Sequence, residues 1–236
     1  MVQSKTTPIL SFLHSQWYQN GAKTLPFNLI EKYFTDETLA WWYMDDGHLK
    51  IKNNVPIKII LSTESFTAEE NNWLINFLMD KYQLSFRTDK QHRIILYDRF
   101  QIFYFLYIVT PYLHHSMCRK IPSRCNLVHD IKSRRTTISL PETITLKSPT
   151  KDINTILHHL HELISQYKHE LFYKKWVPTI VIHESLTLKP YQISLSNTRI
   201  KNLKYLQELT GLTFNQLAYL SYMVMNENSH KSTHLS

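Results

Sequence analysis

Leu39-Ala40-Trp41-Trp42-Tyr43-Met44-Asp45-Asp46-Gly47 decides how the rest of this chain is read. An almost wholly apolar run ends in two acids and one of only three glycines among 236 residues. Thr35 and Asp36 just upstream are N-capping residue types, and Glu37 in a first turn complements the helix dipole. The pattern predicts a helix from 37 to 46, with Gly47 in the left-handed conformation that commonly stops one. The two acids are the puzzle, because a carboxylate at a helix C-terminus opposes the macrodipole unless a cation lies beside it. A metal ion held at a rigid helix end explains their placement; a plain helix stop is the simpler alternative.

Outward from this stretch the pattern is mixed. Upstream, residues 9–18 read as a short amphipathic helix or strand, 19–21 as a turn, 23–26 as extended chain before Pro26, and 28–34 as a short helix. Downstream, IKIILS (57–62) is a strand. Thr67 caps a helix over 68–82 whose apolar residues Trp73, Leu74, Phe77 and Leu78 recur at helical spacing. Residues 84–88 and 93–97 are two strands joined by the polar turn 89–92, and the aromatic run 100–109 is a helix stopping before Pro111. Such an order makes an α+β unit, with one sheet face packed on helices and the other solvated. Lys58, Arg87, His92 and Arg93 are candidates for a surface facing nucleic acid.

Charge points the same way. Lys plus Arg outnumber Asp plus Glu by 27 to 19, a formal +8, and such an excess favours a polyanionic partner. The excess is uneven: 13 basic against 11 acidic residues up to Pro122, and 14 against 8 from Ser123 onward. Cys118 and Cys125 lack metal-type spacing and suit a reducing compartment. No apolar run approaches the roughly 18 residues of a membrane helix, and residues 1–7 lack a signal peptide's apolar core. The expectation is a soluble intracellular, cytoplasmic protein with no membrane partner.

Four segments in order carry a family resemblance. LPFNLIEKYFTDETLAWWYMDDG (25–47), ILSTESFTAEE (60–70), the hairpin, and TPYLHHSMCRKIP (110–122) together resemble the second repeat of a LAGLIDADG homing endonuclease, in the subtype whose motif ends MDDG. The resemblance spans roughly residues 13–122. It implies an α+β half-endonuclease, a helix followed by a saddle-shaped sheet, from a bacterial, phage or organellar mobile element. It also implies that Asp46 binds the Mg2+ (or Mn2+) that activates water, that Asp45 is less critical, and that Lys120 polarises the water or steadies the phosphate. The chemistry is consistent with this: phosphodiester hydrolysis gains from metal ions on attacking and leaving oxygens, and magnesium is content with one or two carboxylates. Without the resemblance, Lys120 reads as a solvated charge in a cluster with Arg119 and Arg124.

The family packs two such helices side by side, each donating one acid, and this sequence carries one. Residues 11–26 resemble the tail of a preceding repeat. Three arrangements follow from the resemblance. The chain is a homodimer through the 39–46 helix, with Leu39, Ala40 and Tyr43 at the contact; or a separate chain brings the other motif; or it is a truncated remnant that no longer cuts. A regulator that binds double-stranded DNA, or an intron RNA maturase, on the same scaffold is the non-cleaving alternative. Only Ala40 is small enough for close helix contact, so Trp41 and Trp42 argue mildly against a symmetric dimer.

The second half is basic and mostly helical. SRRTTISL (133–140) is a strand carrying Arg134 and Arg135. Residues 151–168 form a helix whose His158, His159 and His161 lack a third ligand at helical spacing, and WVPTIVIH (176–183) is a strand. YQISL (191–195), an Asn197-capped helix to 210, Gly211 and a helix over 213–225 resemble a ribbon-helix-helix DNA-binding module. That likeness implies that two chains pair their strands into a ribbon in the major groove. Gln192 and Ser194 then face bases, while Arg199 and Lys201, with Lys189 and Lys204, hold phosphates; a helical hairpin packed on the nuclease is the alternative. Arg119, Arg134 and Arg135 add to the DNA-facing charge. The expected division is an endonuclease domain over 1–125, a basic connecting region over 126–185, the ribbon-helix-helix module over 186–228, and a disordered tail over 229–236.

Overall fold

A computed structural model describes residues 7–122, 135–183 and 186–233. Contacts divide the chain into two units, Met1–Arg124 and Cys125–Ser236. Among the described residues no helix is long and apolar enough to cross a membrane.

The first unit begins with α1 (Pro8–Trp17), capped by Thr7 and carrying no buried residue. The short strands β1 (Tyr18–Gln19) and β2 (Ala22–Lys23) pair across Asn20 and Gly21, both at positive φ. Then come α2 (Phe27–Tyr33) and α3 (Asp36–Asp46). Thr35 caps α3: its hydroxyl accepts from the Thr38 amide at 3.2 Å, and Thr38 Oγ1 accepts from the Thr35 amide at 3.3 Å.

Gly47 departs from expectation. It is extended (φ −87°, ψ 149°) rather than left-handed, and it opens a strand that the sequence pattern did not predict, β3 (Gly47–Lys52). β3 pairs antiparallel with β4 (Val55–Leu61) through Asn53 and Asn54, at φ 51° and 60°. Two consecutive left-handed residues are the signature of a type I′ hairpin turn, and asparagine tolerates them. α4 (Ala68–Tyr82) follows, with a Thr67–Glu70 capping box. β5 (Arg87–Thr88) and β6 (Ile94–Leu96) form the expected hairpin in shorter form, and α5 (Arg99–Val109) closes the set with an Asp98 cap. Two 3-10 segments, Thr110–Tyr112 and His115–Lys120, finish the unit.

The sheet order is β3-β4-β6-β5. Its register places Leu49, Ile59, Leu61, Ile94 and Leu96 on one face, where they join the core with Tyr43 of α3 and Phe105 of α5. The Tyr43 and Phe105 rings meet edge-on at 5.1 Å. A buried polar knot fastens the sheet to α4: Asn71 Nδ2 donates to the carbonyls of Thr63 (3.3 Å) and His92 (3.1 Å), and Thr63 Oγ1 donates to the same His92 carbonyl (3.1 Å).

The second unit contains β7 (Arg135–Pro141), α6 (Pro149–Ile156), a 3-10 turn (Leu157–His159), α7 (Leu160–Lys168), α8 (Phe172–His183), β8 (Leu188–Ser194), α9 (Asn197–Thr210) and α10 (Phe214–Thr233). Three expectations are corrected here. The segment over 176–183 is helical, because Phe172, Tyr173, Trp176, Val177 and Ile180 are all buried at helical spacing, despite Pro178 inside the helix. The polar tail continues α10 to Thr233, held by Glu227 on Lys175 at 2.5 Å and by Asn228 donating to Glu162 at 3.0 Å. Finally, β8 pairs over its whole length with β7 of the same chain. The connecting region and the C-terminal module thus share one sheet, and no second chain is needed to make a ribbon.

Candidate active site and nucleic-acid surface

The end of α3 is pinned from 77 residues away. Lys120 is 6% exposed, and its ammonium donates to the carbonyls of Tyr43 (2.7 Å) and Met44 (2.5 Å). Tyr43 returns the contact, its hydroxyl donating to the Lys120 carbonyl at 2.7 Å. Both are last-turn carbonyls, and that of Tyr43 also accepts from the Gly47 amide, so a buried cation there both caps the helix and offsets its dipole. The cation that the two acids called for is therefore present in the protein itself. Burial pushes the Lys120 ammonium below the ordinary lysine range, Arg119 adds to this, and Asp45 and Asp46 pull it back.

Beyond that clamp, Asp45 and Asp46 are exposed. The Asp46 carbonyl accepts from the Ser62 amide at 3.0 Å, which fixes the helix end against β4 while leaving the side chain outward. Gly47 permits the sharp exit. A Cβ there would lie 2.2 Å from Tyr43 Cδ2 and 2.4 Å from the Tyr43 carbonyl oxygen. The described residues contain no group of three or more His, Cys, Asp or Glu placed to hold a metal. A lone exposed carboxylate still fits magnesium, which takes one or two acids and fills its remaining positions with water and substrate phosphate.

Leu39, Ala40 and Tyr43 do not form an open helix face. Each is 0% exposed within the unit's own core, because they point at α5 and the sheet. The face left open is the opposite one, with Trp41 63% exposed. Thr38, Trp41, Trp42, Asp45 and Asp46 line a groove of about 1060 Å3 together with Phe66, Tyr112 and His114. Thr38, Trp41, Trp42 and Asp45 share this stripe at i, i+3, i+4 and i+7, but the sequence does not say which stripe of the helix stays open.

The sheet face away from the core carries the charge, around Ile60 and Ile95, which are buried there. Register places His48, Lys50, Lys58, Ile60, Ile95 and Arg87 on the side away from the core. Lys50 lies directly opposite Lys58, and Lys58 also sits over the Tyr97 ring at 5.8 Å. His48 and Lys50 escaped sequence-based prediction, although HLKIK alternates ahead of an Asn-Asn turn. Arg93 is already engaged, donating from Nη2 (2.7 Å) and Nε (3.1 Å) to Asp89 Oδ2, and this guanidinium holds the Asp89 carboxyl below the usual carboxylate range. His92 is exposed at φ 58°. Arg119 is exposed beside the clamp.

In the second unit Arg135, Gln192, Ser194 and Lys201 are exposed. Arg199 is half-buried, and its Nη2 donates to His158 Nδ1 at 2.9 Å. Arg134 and Arg124 lie outside the described residues.

Residues 1–111 match the profile of the LAGLIDADG DNA endonuclease family. The chain is 36% identical over 121 residues to an uncharacterized protein of Methanocaldococcus jannaschii, covering 50% of this chain and 44% of that protein. It is 33% identical over 110 residues to a probable intron-encoded endonuclease of Wickerhamomyces canadensis, covering 44% and 46%. With the cytochrome b mRNA maturase bI2 of Debaryomyces hansenii it shares 31% over 113 residues, covering 46% and 41%. Among solved structures, the homing endonuclease I-WcaI bound to its DNA recognition sequence is similar at 31% identity and a TM-score of 0.42, over 46% of this chain and 50% of that one. The chain spans less than half the length of the curated relatives it matches.

Proposed function

We propose that this chain is a site-specific, divalent-metal-dependent endonuclease of double-stranded DNA whose active site is completed by a second LAGLIDADG helix. The observation that carries this is the exposed Asp46 carboxylate at the fastened end of α3, beside an open aromatic groove, within the segment that matches the endonuclease family. Asp46 would hold magnesium or manganese with Asp45 nearby. A metal bound there supplies an activated water and neutralises charge on the phosphate. Lys120 acts as a positioning residue, because two of its three N–H donors hold the helix end. The outer sheet face, with Lys50, Lys58 and Arg87, holds the duplex, and the basic second unit adds affinity.

The groove beside Trp41 is the place for the second helix, supplied by another copy or by a separate chain. A maturase-like or purely DNA-binding role is the second reading. It is favoured by the single acid site and by similarity to a protein named as an mRNA maturase. Plasmid carrying the DNA that flanks this chain's own coding sequence separates the two. We expect magnesium-dependent nicking or breakage by the wild type, none by Asp46→Asn, and equal binding by both. Cleavage that survives the substitution sinks the assignment of Asp46; binding without nicking at any magnesium or manganese concentration favours the second reading.

A further inference from the structure

We infer that His114 is a substrate-contacting donor of this site, presenting its Nε2–H to a phosphate oxygen of the duplex at the acid end of α3. This deepens the endonuclease reading and rests on it, since a phosphodiester must be brought to Asp46.

The segment from His114 to Lys120 is fastened at both ends to one residue of α3. The His114 amide donates to Met44 Sδ at 3.4 Å, and the Lys120 ammonium donates to the Met44 carbonyl. Met44 directly precedes the two acids. His114 is therefore set at the acid end of the groove, which Asp45, Asp46, His114 and Ser116 line together. The imidazole is oriented as well as placed. Its Nδ1 accepts from the Ser116 amide at 3.3 Å, capping the 3-10 segment His115–Lys120, and lies 2.8 Å from Ser116 Oγ. The His115 ring packs beside it, centroids 4.0 Å apart. A backbone N–H can only donate, so Nδ1 is the bare nitrogen and the neutral ring carries its proton on Nε2. His114 is exposed, and among the described residues Nε2 meets no acceptor.

Capping alone does not call for an imidazole. Serine, threonine, aspartate and asparagine are the usual capping residues, and any of them could accept from the Ser116 amide. Histidine adds a donor on the far side of its ring from the nitrogen that caps. Phosphodiester hydrolysis develops negative charge on the phosphoryl oxygens, and a donor fixed in advance beside them costs no reorganisation at the moment of reaction. Lys120 leaves that place open, because two of its three N–H groups hold the helix end.

Two substitutions in the full chain separate the donor from the cap. His114→Asn keeps an acceptor near the Nδ1 position and removes the distal donor; His114→Gln puts an amide donor near the Nε2 position and gives up the cap. With saturating protein, magnesium and the flanking-DNA substrate, His114→Asn should keep the wild-type urea midpoint and DNA affinity. Its single-turnover cleavage should fall roughly 100- to 1000-fold. His114→Gln should lower the midpoint yet cut faster than His114→Asn. A role confined to capping gives the reverse order, and that order, or wild-type cleavage by His114→Asn, overturns the inference. A second readout needs no cleavage. With calcium in place of magnesium, ring-nitrogen NMR should show His114 as the Nε2–H tautomer, with Nε2 shifting and Nδ1 steady when the duplex binds. A ring that ignores the bound duplex also overturns the inference. The two readings fail separately. A bound but uncut duplex that still shifts Nε2 removes the endonuclease reading alone; a duplex cut at full rate by His114→Asn removes the His114 donor alone; no binding of duplex removes both.

Discussion

Gly47 shows how one missing methyl group places a catalytic candidate. Its backbone is ordinary extended chain, so the demand for glycine comes from the Tyr43 ring and carbonyl pressed against it. Gly47→Ala should destabilise the first unit by about 1–3 kcal/mol through overpacking, read from urea unfolding, and should reduce cleavage because the helix end must shift. Lys120→Met should cost a comparable amount, about 1–3 kcal/mol, by removing the charged donor from the Met44 carbonyl and leaving the Tyr43 carbonyl with the Gly47 amide alone. Alkaline stability is also set at single residues. Burial raises the Tyr43 hydroxyl well above its usual range, and burial with the Asp36 hydrogen bond does the same for Tyr82. A group whose pKa rises on folding contributes stability that is whole below its unfolded value, about 10, and is lost as the pH climbs past it. Denaturation midpoints should therefore fall above about pH 10, and less steeply in Tyr43→Phe.

At the scale of elements, local signals were legible and compensated ones were not. α3 and α4 could be read because each carries its own cap, Thr35 and Thr67, ahead of an apolar stripe. β3 was missed because its alternation is short and its turn uses two asparagines where glycine is the usual marker. α8 was misread because Val177, Ile180 and their β-branched neighbours mimic a strand, and only extending the period back to Phe172 shows the helix. Which face of α3 is open could not be read at all: Leu39, Ala40 and Tyr43 lose to the sheet and α5 in a competition that involves residues far along the chain. The sheet face gives a graded expectation. Lys50→Ala, Lys58→Ala and Arg87→Ala should each weaken DNA binding and lower the slope of log affinity against log salt by about 0.9. Arg93→Ala should do less, because Asp89 already holds that guanidinium.

For the whole molecule, the second helix proposed to fill the groove beside Trp41 sets how cleavage should depend on concentration. Double-strand breakage should rise more steeply than linearly with protein concentration, or appear only when a chain carrying the other motif is added. Trp41→Glu should turn breaks into nicks while leaving each chain's own binding intact, followed on supercoiled plasmid. The lysine clamp has a practical consequence for anyone excising the acid-bearing half. The family match ends at residue 111, yet the side chain that fastens the acid-bearing helix sits at Lys120. A fragment trimmed at the end of that match would keep the helix and its two acids and lose their fastener. The working edge of the first unit lies at least nine residues past the end of the profile match.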